Sequence, residues 1–231
     1  MCAACRESCD GKLPLCLKCL ALLEALSSAA TCPRCAAPLA IHDGPCPYCK
    51  GEGIKPFQRV VALGHFEEPV REMIHAIKYH KAWPVAEYLA GYLLEQKRAA
   101  ELVSRADVLV PVPLHSVRRM SRGFNQAAVL AARLGKLGGK KMCDALIRIR
   151  DTETQTHFHS RAQRNRNMKD AFALHRPRQI EGKHVILVDD VMTSGATLTN
   201  AAKALKDGRP ASISAMVLAV ADPRGRGFER V

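Results

Sequence analysis

One stretch, Val185 to Leu198, narrows the possible folds of this chain further than any other. It opens with Val-Ile-Leu-Val, which predicts a buried strand because all four residues are apolar and three are β-branched. Two carboxylates, Asp189 and Asp190, follow where that strand should end. After a turn of small residues, the run from Ala196 to Lys206 predicts a helix.

The small-residue turn predicts an anion site at the start of that helix. Backbone N–H groups in a tight loop and at a helix N-terminus bind anions, and threonine hydroxyls add donors. Carboxylates repel phosphate but suit sugar hydroxyls, or a Mg²⁺ ion shared with phosphate groups. We therefore expect a ligand with both ribose and phosphate, with Asp189 and Asp190 as the catalytic pair on the ribose. The predicted 5′-phosphate loop consists of Thr193, Ser194, Gly195, Ala196 and Thr197.

The two commonest nucleotide-binding motifs are absent from the chain, which contains neither GxGxxG nor GxxxxGK[ST]. The stretch instead resembles the ribose-phosphate signature of type I phosphoribosyltransferases, which bind phosphoribosyl diphosphate. The alternative is an ordinary strand–turn–helix with two solvated aspartates. That alternative requires the apolar strand, the acidic pair and the loop to coincide by chance.

Eight cysteines in the first 49 residues form a doubled repeat. Each unit has two CxxC pairs separated by ten residues, and the second unit begins thirty residues after the first. These cysteines are Cys2, Cys5, Cys16, Cys19, Cys32, Cys35, Cys46 and Cys49. Eight thiolates can bind about two structural Zn²⁺ ions, whereas a redox role or an iron–sulfur site is the less favoured interpretation. The spacing leaves open whether each unit holds its own ion, and Cys9 is a spare or alternative ligand.

The length of 231 residues suits a small module followed by one larger domain. Glycines at 51 and 53 mark the boundary, so we expect a double zinc-finger module over 1–51 and a phosphoribosyltransferase-like domain over 52–231. Paired cysteines without a recognisable secretory signal indicate a reducing, cytoplasmic setting. No apolar run is long enough to span a bilayer.

The net charge of +13 is unevenly distributed. Residues 1–51 hold 5 basic and 4 acidic residues, whereas residues 115–183 hold 16 basic and 5 acidic residues. The positive charge is therefore concentrated just upstream of the predicted phosphate loop. It can serve a polyanionic small ligand, nucleic acid, or both.

A second buried strand, Asp107 to Pro113, precedes a basic loop and a helix from Asn125 to about Leu137. Loops at the carboxyl ends of parallel strands share one crevice, so we expect this loop on the diphosphate side of the ligand. Its arginines, which suit bidentate phosphate contacts, are Arg118, Arg119 and Arg122.

The remaining pattern predicts an α/β fold with a mainly parallel twisted sheet flanked by helices. Further strands are predicted at Phe57–Leu63, Ala145–Ile149, Ala171–Leu174 and Ser212–Val220, and further helices at Leu20–Leu26, at Glu68–Tyr79 and from Pro84 to about Leu102. The polar stretch from Asp151 to Lys169 is long for a compact domain, which is typical of a functional lid or of disorder.

Taken together, these motifs resemble the ComF family, of the competence ComFC or GntX type. The cysteine pairs, the Val-Pro-Val-Pro-Leu-His…Arg-Gly-Phe-Asn-Gln loop and the Asp-Asp–Thr-Ser-Gly-Ala-Thr motif carry the resemblance over residues 2 to about 220. It implies a zinc-finger module on a type I phosphoribosyltransferase fold that binds phosphoribosyl diphosphate with Mg²⁺. It also implies DNA uptake for natural transformation or use of DNA as a nutrient. The segment with Gln155, Arg161 and Arg164 resembles the flexible catalytic loop.

Three functions fit the sequence. The first is Mg²⁺-dependent transfer of a phosphoribosyl group to an unidentified acceptor. The second is non-catalytic handling of single-stranded DNA, with the phosphoribosyl site as a ligand sensor. The third is a structural adaptor that works through the zinc module. Besides phosphoribosyl diphosphate, the partners expected across these functions are single-stranded DNA and competence or DNA-translocation proteins.

Overall fold

The structure is a computed structural model and describes residues 1–9, 13–39, 46–115, 120, 123–150 and 168–221. Its α-helices are α1 (Leu17–Ser28), α2 (Val70–His80), α3 (Trp83–Glu95), α4 (Lys97–Arg105), α5 (Gln126–Gly138) and α6 (Ala196–Lys206). Its strands are β1 (Val60–His65), β2 (Val108–Pro111), β3 (Lys141–Met142), β4 (Leu146–Arg148), β5 (Phe172–Leu174), β6 (His184–Met192) and β7 (Ser212–Val220).

Five strands form the central sheet in the order β1-β7-β6-β2-β3, and every neighbouring pair is parallel. This arrangement confirms the predicted α/β class with a mainly parallel sheet. Strands β4 and β5 form a separate antiparallel pair. The long, central strand β6 therefore ends between β7 and β2, and its last residues project toward the edge where parallel strands place ligands.

Helices cover both faces of the sheet, which explains the uninterrupted apolar runs of its inner strands. Alternate residues of β6 point to opposite faces. Ile186 and Val188 join the core formed with α2, α3 and α5. Val185 and Leu187 join the core formed with α6 and the β4–β5 pair.

One predicted helix and two predicted strands are arranged differently in the structure. The single helix expected from Pro84 to about Leu102 is two helices, because Gln96 adopts an extended backbone between α3 and α4. The Gln96 side-chain amide donates a hydrogen bond of 2.8 Å to the carbonyl of Leu63 and ties this break to β1. The strands predicted around residues 147 and 173 pair with each other outside the main sheet, and Ile147 and Ile149 remain exposed.

The first cysteine unit shares a core with the sheet and its helices. Leu15, Cys19 and Leu23 are buried in the same cluster as Leu89 of α3. Gly64 of β1 permits close approach, since a Cβ there would lie 3.4 Å from the carbonyl oxygen of Leu26. In the described part of the chain, no helix is both long and apolar enough to cross a membrane.

Candidate functional site

The acidic pair lies inside β6 and not after it. The strand continues through Asp189 and Asp190 to Met192, because β7 pairs with it as far as Val220. Strand β2 stops pairing earlier, at the Pro111–Val188 pair. The two carboxylates therefore lie beyond the last residue of β2 that pairs with β6, at the carboxyl edge of the sheet.

The two aspartates face opposite sides of the sheet, as consecutive strand residues must. Asp190 points to the side of α2, where its Oδ2 lies 3.0 Å from Nζ of Lys78. Both side chains of this ion pair are largely buried, with 17% of Asp190 and 19% of Lys78 exposed. Asp189 points to the other side, and its Oδ1 accepts a hydrogen bond of 2.9 Å from the backbone N–H of Asp190.

Burial and, after it, the neighbouring negative charge of Asp190 raise the pKa of Asp189 to about 7. The backbone N–H of Asp190 and the charges of Lys78 and Arg148 act in the opposite direction without cancelling the rise. At neutral pH, Asp189 therefore holds a proton part of the time. A cation beside it would favour the ionised carboxylate.

The predicted phosphate loop joins β6 to α6. Gly195 is the residue before the helix and has a φ of 75°, in the left-handed region that favours glycine. Its carbonyl accepts a hydrogen bond of 2.8 Å from the N–H of Thr199, and the Ser194 hydroxyl accepts one of 3.4 Å from the N–H of Ala196. The half-exposed hydroxyl side chains here are Thr193, Ser194 and Thr197. They lie at the positive end of α6, which suits a phosphate group.

The predicted diphosphate loop lies between Val112 and Asn125, and hydrogen bonds hold these two residues beside β6. The N–H of Val112 donates to the carbonyl of Val188 at 2.9 Å. Asn125 caps α5, with its Oδ1 accepting from Ala127, and its Nδ2 donates to the carbonyl of Val112 at 2.9 Å. Arg118, Arg119 and Arg122 lie outside the described residues, so their diphosphate contacts remain predictions.

The predicted flexible loop connects β4 to β5. The pairing of these strands extends through a hydrogen bond of 2.9 Å from the N–H of Ile149 to the carbonyl of Ala171. Arg148 on β4 lies close enough to Asp189 for its charge to lower the pKa of that carboxyl group. The base of the loop is therefore near the acidic pair. Gln155, Arg161 and Arg164 lie outside the described residues.

The cysteines form two groups of four, one in each unit, so the interleaved arrangement is not adopted. The first group is Cys2, Cys5, Cys16 and Cys19, and the second is Cys32, Cys35, Cys46 and Cys49. All Sγ atoms of a group lie within 4.8 Å of one another. The Sγ atoms are 3.7 Å apart in three pairs, Cys5–Cys16, Cys32–Cys49 and Cys35–Cys46. This distance is close to the roughly 3.8 Å edge of a tetrahedron with Zn–S bonds of about 2.3 Å. All are free thiols, and the donor set fits zinc.

Three of the four CxxC pairs share one turn geometry. The residue after each of these pairs has a positive φ, and its N–H donates to the carbonyl of the first cysteine of the pair. These residues are Arg6, Ala36 and Lys50. The fourth pair, Cys16 and Cys19, instead opens α1. Cys9 belongs to neither group in the described structure.

The thiols of the first group differ in acidity. Burial and neighbouring thiols raise the pKa of Cys19 well above its ordinary value. Burial acts in the same direction on Cys2, but the backbone N–H groups around it outweigh burial and lower its pKa to about 6. A divalent cation would favour the thiolate form of all four, so binding it would release protons.

Lys78, which forms an ion pair with Asp190 in the candidate site, is a residue that the sequence interpretation missed. It follows the apolar stripe of α2 at one helical turn from Ile74, a position that usually faces the core. A lysine at such a position either extends its charged end to solvent or pairs with a buried acidic group. The identity of that partner depends on a tertiary contact that the sequence pattern does not contain.

Comparison with known proteins shows which family the chain belongs to. The family model described as phosphoribosyl transferase domain matches residues 93–230. The chain is 34% identical to the DNA utilization protein YhgH of Salmonella typhimurium, over 81% of this chain and 82% of that protein. It is 28% identical to Competence protein F of Haemophilus influenzae, over 81% and 83% of the two chains. It is 35% identical to Competence protein ComFC of Bacillus subtilis, over 48% and 43%.

The chain therefore belongs to the phosphoribosyl transferase domain family. Within it, the relatives named for DNA utilization and competence confirm the ComF resemblance that the motifs predicted.

Proposed function

We propose that this protein binds phosphoribosyl diphosphate together with Mg²⁺ at the junction of β6 and α6, and acts in DNA uptake or DNA utilization. The observation that carries the proposal is the geometry of that junction. A left-handed Gly195 ends the turn at the helix N-terminus, and two aspartates precede it at the carboxyl edge of a parallel sheet. This arrangement supports phosphate on one side and ribose hydroxyls on the other.

Each part of the ligand has residues that would hold it. The loop from Thr193 to Thr197 would bind the 5′-phosphate through N–H groups and hydroxyls. Asp189 and Asp190 would bind the ribose hydroxyls and the Mg²⁺ side of the ligand. The loop with Arg118 and its neighbouring arginines would face the diphosphate. Mg²⁺, when bound, would neutralise charge on the diphosphate and help it to leave.

If the protein is a transferase, catalysis is mainly electrostatic. The residues would orient the ribose, exclude water and stabilise the departing diphosphate, while an acceptor attacks the sugar carbon. Membership of the family does not by itself supply an acceptor. Release of diphosphate with candidate acceptors tests this step separately from binding.

The binding proposal is tested by thermal unfolding with phosphoribosyl diphosphate and Mg²⁺. A ligand that binds only the folded state raises the melting temperature by mass action. Asp190→Asn should weaken mainly the Mg²⁺-dependent part of this shift. Thr197→Ala should cost on the order of 1–3 kcal/mol of binding, the usual effect of losing a hydrogen bond to a charged group. Absence of any shift for the wild type at millimolar ligand would overturn the proposal.

Single-stranded DNA is the second candidate ligand. The excess of 16 basic over 5 acidic residues between 115 and 183, and the names of the relatives, support it. Binding should weaken steeply with salt because phosphate contacts release counterions. Aromatic residues make up only 5% of the chain, so stacking should contribute less than charge. Binding unaffected by salt, or by joint removal of Arg161, Arg164 and Arg166, would contradict this candidate.

We further propose that the two cysteine groups hold structural Zn²⁺, one ion each, in a cytoplasmic protein. The tetrahedral spacing of the sulfur atoms supports this assignment. The division into residues 1–51 and 52–231 remains our prediction. Metal analysis of protein purified without chelator tests the stoichiometry.

A further inference from the structure

Asp190, the second aspartate of the pair, is held by a residue on the face of the sheet that α2 covers. Asp190 Oδ2 forms its ion pair with Lys78 of α2, and both side chains are more than four-fifths buried. A surface ion pair would be weak and readily exchanged, but a largely buried one is screened little by water and salt. Lys78 therefore neutralises Asp190 persistently in the ligand-free protein.

A buried hydrogen-bond donor lies beside the same carboxylate. Gln126, the first residue of α5, is 4% exposed, and its Nε2 has no hydrogen-bond partner in the described part of the chain. Gln126 and Asp190 line one cavity of about 10 Å³, which is otherwise apolar. That volume is about the minimum for one water molecule. Behind Asp190 the cavity therefore contains one further polar group, the Gln126 amide, among apolar side chains.

The paired lysine conflicts with direct use of Asp190 as a metal ligand. A Mg²⁺ ion prefers charged oxygen ligands, but here the ammonium group already occupies Oδ2. A divalent cation arriving alone would therefore have to displace Lys78 from Asp190.

We propose that Lys78 is a positioning residue whose ion pair prevents free divalent cations from binding the Asp190 carboxylate. Lys78 releases this carboxylate when a metal-bound diphosphate enters the site. The inference rests on the proposed function for the identity of that ligand. An incoming diphosphate attracts the ammonium group, and the lysine side chain has four rotatable bonds with which to follow it. Asp190 is then free for the metal or the ribose. Lys78 thus makes metal entry dependent on the phosphorylated ligand.

The test uses zinc-loaded full-length protein and Mn²⁺ alone as the probe, with free Mn²⁺ measured by electron paramagnetic resonance. Wild type should bind Mn²⁺ weakly. Lys78→Met should bind it on the order of tenfold more tightly, because the carboxylate loses its competing cation. Lys78→Arg keeps the charge and should match wild type. Lys136→Met makes the same change on the exposed face of α5 and serves as the control.

Two further variants keep the test decisive. If Lys78→Met fails to fold, Lys78→Gln removes the charge but keeps a donor for Asp190, and it should also bind Mn²⁺ more tightly. The double variant Lys78→Met with Asp190→Asn should lose the gain, because the lysine acts through that carboxylate. Equal Mn²⁺ affinity in wild type and in the folded variant that lacks the charge, Lys78→Met or Lys78→Gln, would overturn the proposal.

The ligand arm separates this inference from the proposed function. With phosphoribosyl diphosphate and Mg²⁺, Lys78→Met should bind more weakly than wild type, since it lacks the cation that follows the diphosphate. Failure of wild type to bind this ligand refutes the proposed function. The Mn²⁺ measurement would still decide whether Lys78 prevents free divalent cations from binding Asp190.

Discussion

Glycine is favoured at position 195 because of its backbone conformation, and not because a side chain would clash with neighbouring atoms. Its φ of 75° is costly for any residue with a Cβ, yet a Cβ built there would meet no atom closer than 3.8 Å. Gly195→Ala should therefore destabilise the fold by about 1–2 kcal/mol and distort the phosphate loop. Gly195→Val should lose the ligand-dependent rise in melting temperature altogether.

Gly91→Ala is the matched control for this prediction. Gly91 lies inside α3 with no atom within 4 Å of an added Cβ, so the same change should stabilise the protein by about 0.5–1 kcal/mol. Thermal unfolding with and without ligand measures both effects. A full ligand shift in Gly195→Val would show that the loop does not bind phosphate.

The raised pKa of Asp189 predicts that the free energy of unfolding falls as the pH rises. Its pKa rises from an ordinary value near 4 to about 7, chiefly through burial. The folded protein therefore binds more protons than the unfolded chain between these values. Protonated Asp189 therefore contributes to the stability of the folded protein fully below about pH 4, and this contribution is lost as the pH rises through 7. Asp189→Asn removes this loss, so it should gain stability relative to wild type from pH 5 to pH 8.

Urea unfolding in buffer without Mg²⁺ at pH 5, 6, 7 and 8 measures this difference. The cysteine groups titrate equally in both proteins and cancel in the comparison. Asp144→Asn, at an exposed position, controls for the loss of a negative charge. A difference between Asp189→Asn and wild type that stays constant over this range would contradict the assigned pKa.

Residue types were easier to predict than their surroundings. The sequence predicts Asp189 and Asp190 as a pair because an apolar strand precedes them and a small-residue turn follows. It does not predict that they face opposite sides of the sheet, since that depends on β6 continuing to Met192. It also does not predict the Lys78 contact, because α2 reaches the sheet only through tertiary packing.

At the scale of elements, helix α1 connects the cysteine units to the rest of the protein. Leu23 on its inner face is fully buried in the core shared with α3, whereas Leu17 is 84% exposed. Leu23→Ala should therefore lower the free energy of unfolding of the whole chain by about 2–5 kcal/mol. Leu17→Ala, the same change on the same helix, should alter it by less than about 0.5 kcal/mol.

Chemical denaturation followed by two signals tests this prediction. Far-ultraviolet circular dichroism reports the whole chain, and the fluorescence of Trp83 reports the start of α3. If Leu23→Ala leaves the Trp83 transition unchanged, α1 belongs to a unit that unfolds separately.

Elements with strong periodicity were predicted well, whereas breaks and pairings were not. Helix α6 has the bounds that its pattern predicts, from Ala196 to Lys206. The break between α3 and α4 escaped prediction because no proline or glycine marks it. It depends on the bond from Gln96 to Leu63 of β1, which only the folded chain brings together. Similarly, the short strands β4 and β5 carry no signal of which strand each will pair with.

At the scale of the molecule, α2 lies between the first cysteine group and the ligand site. Glu68, Pro69 and Glu72, at its N-terminal end, share a small cavity with Cys5 and Cys19. Near its other end, Lys78 contacts Asp190. A helix of 11 residues spans roughly 16 Å, so one rigid element touches both sites.

The cysteine groups provide the last prediction, which concerns metal content and its effect on the whole protein. Wild type should contain about two zinc ions per chain, because each unit gathers four thiols at tetrahedral spacing. Cys5→Ser should contain about one, whereas Cys9→Ser should keep both, since Cys9 lies outside both groups. Loss of the first ion should also lower the melting temperature of the whole chain, because Cys2 and Cys19 are buried in the main core. Elemental analysis and thermal unfolding of the three proteins measure both effects. Two ions in Cys5→Ser, or one in Cys9→Ser, would show that the ligand sets are assigned wrongly.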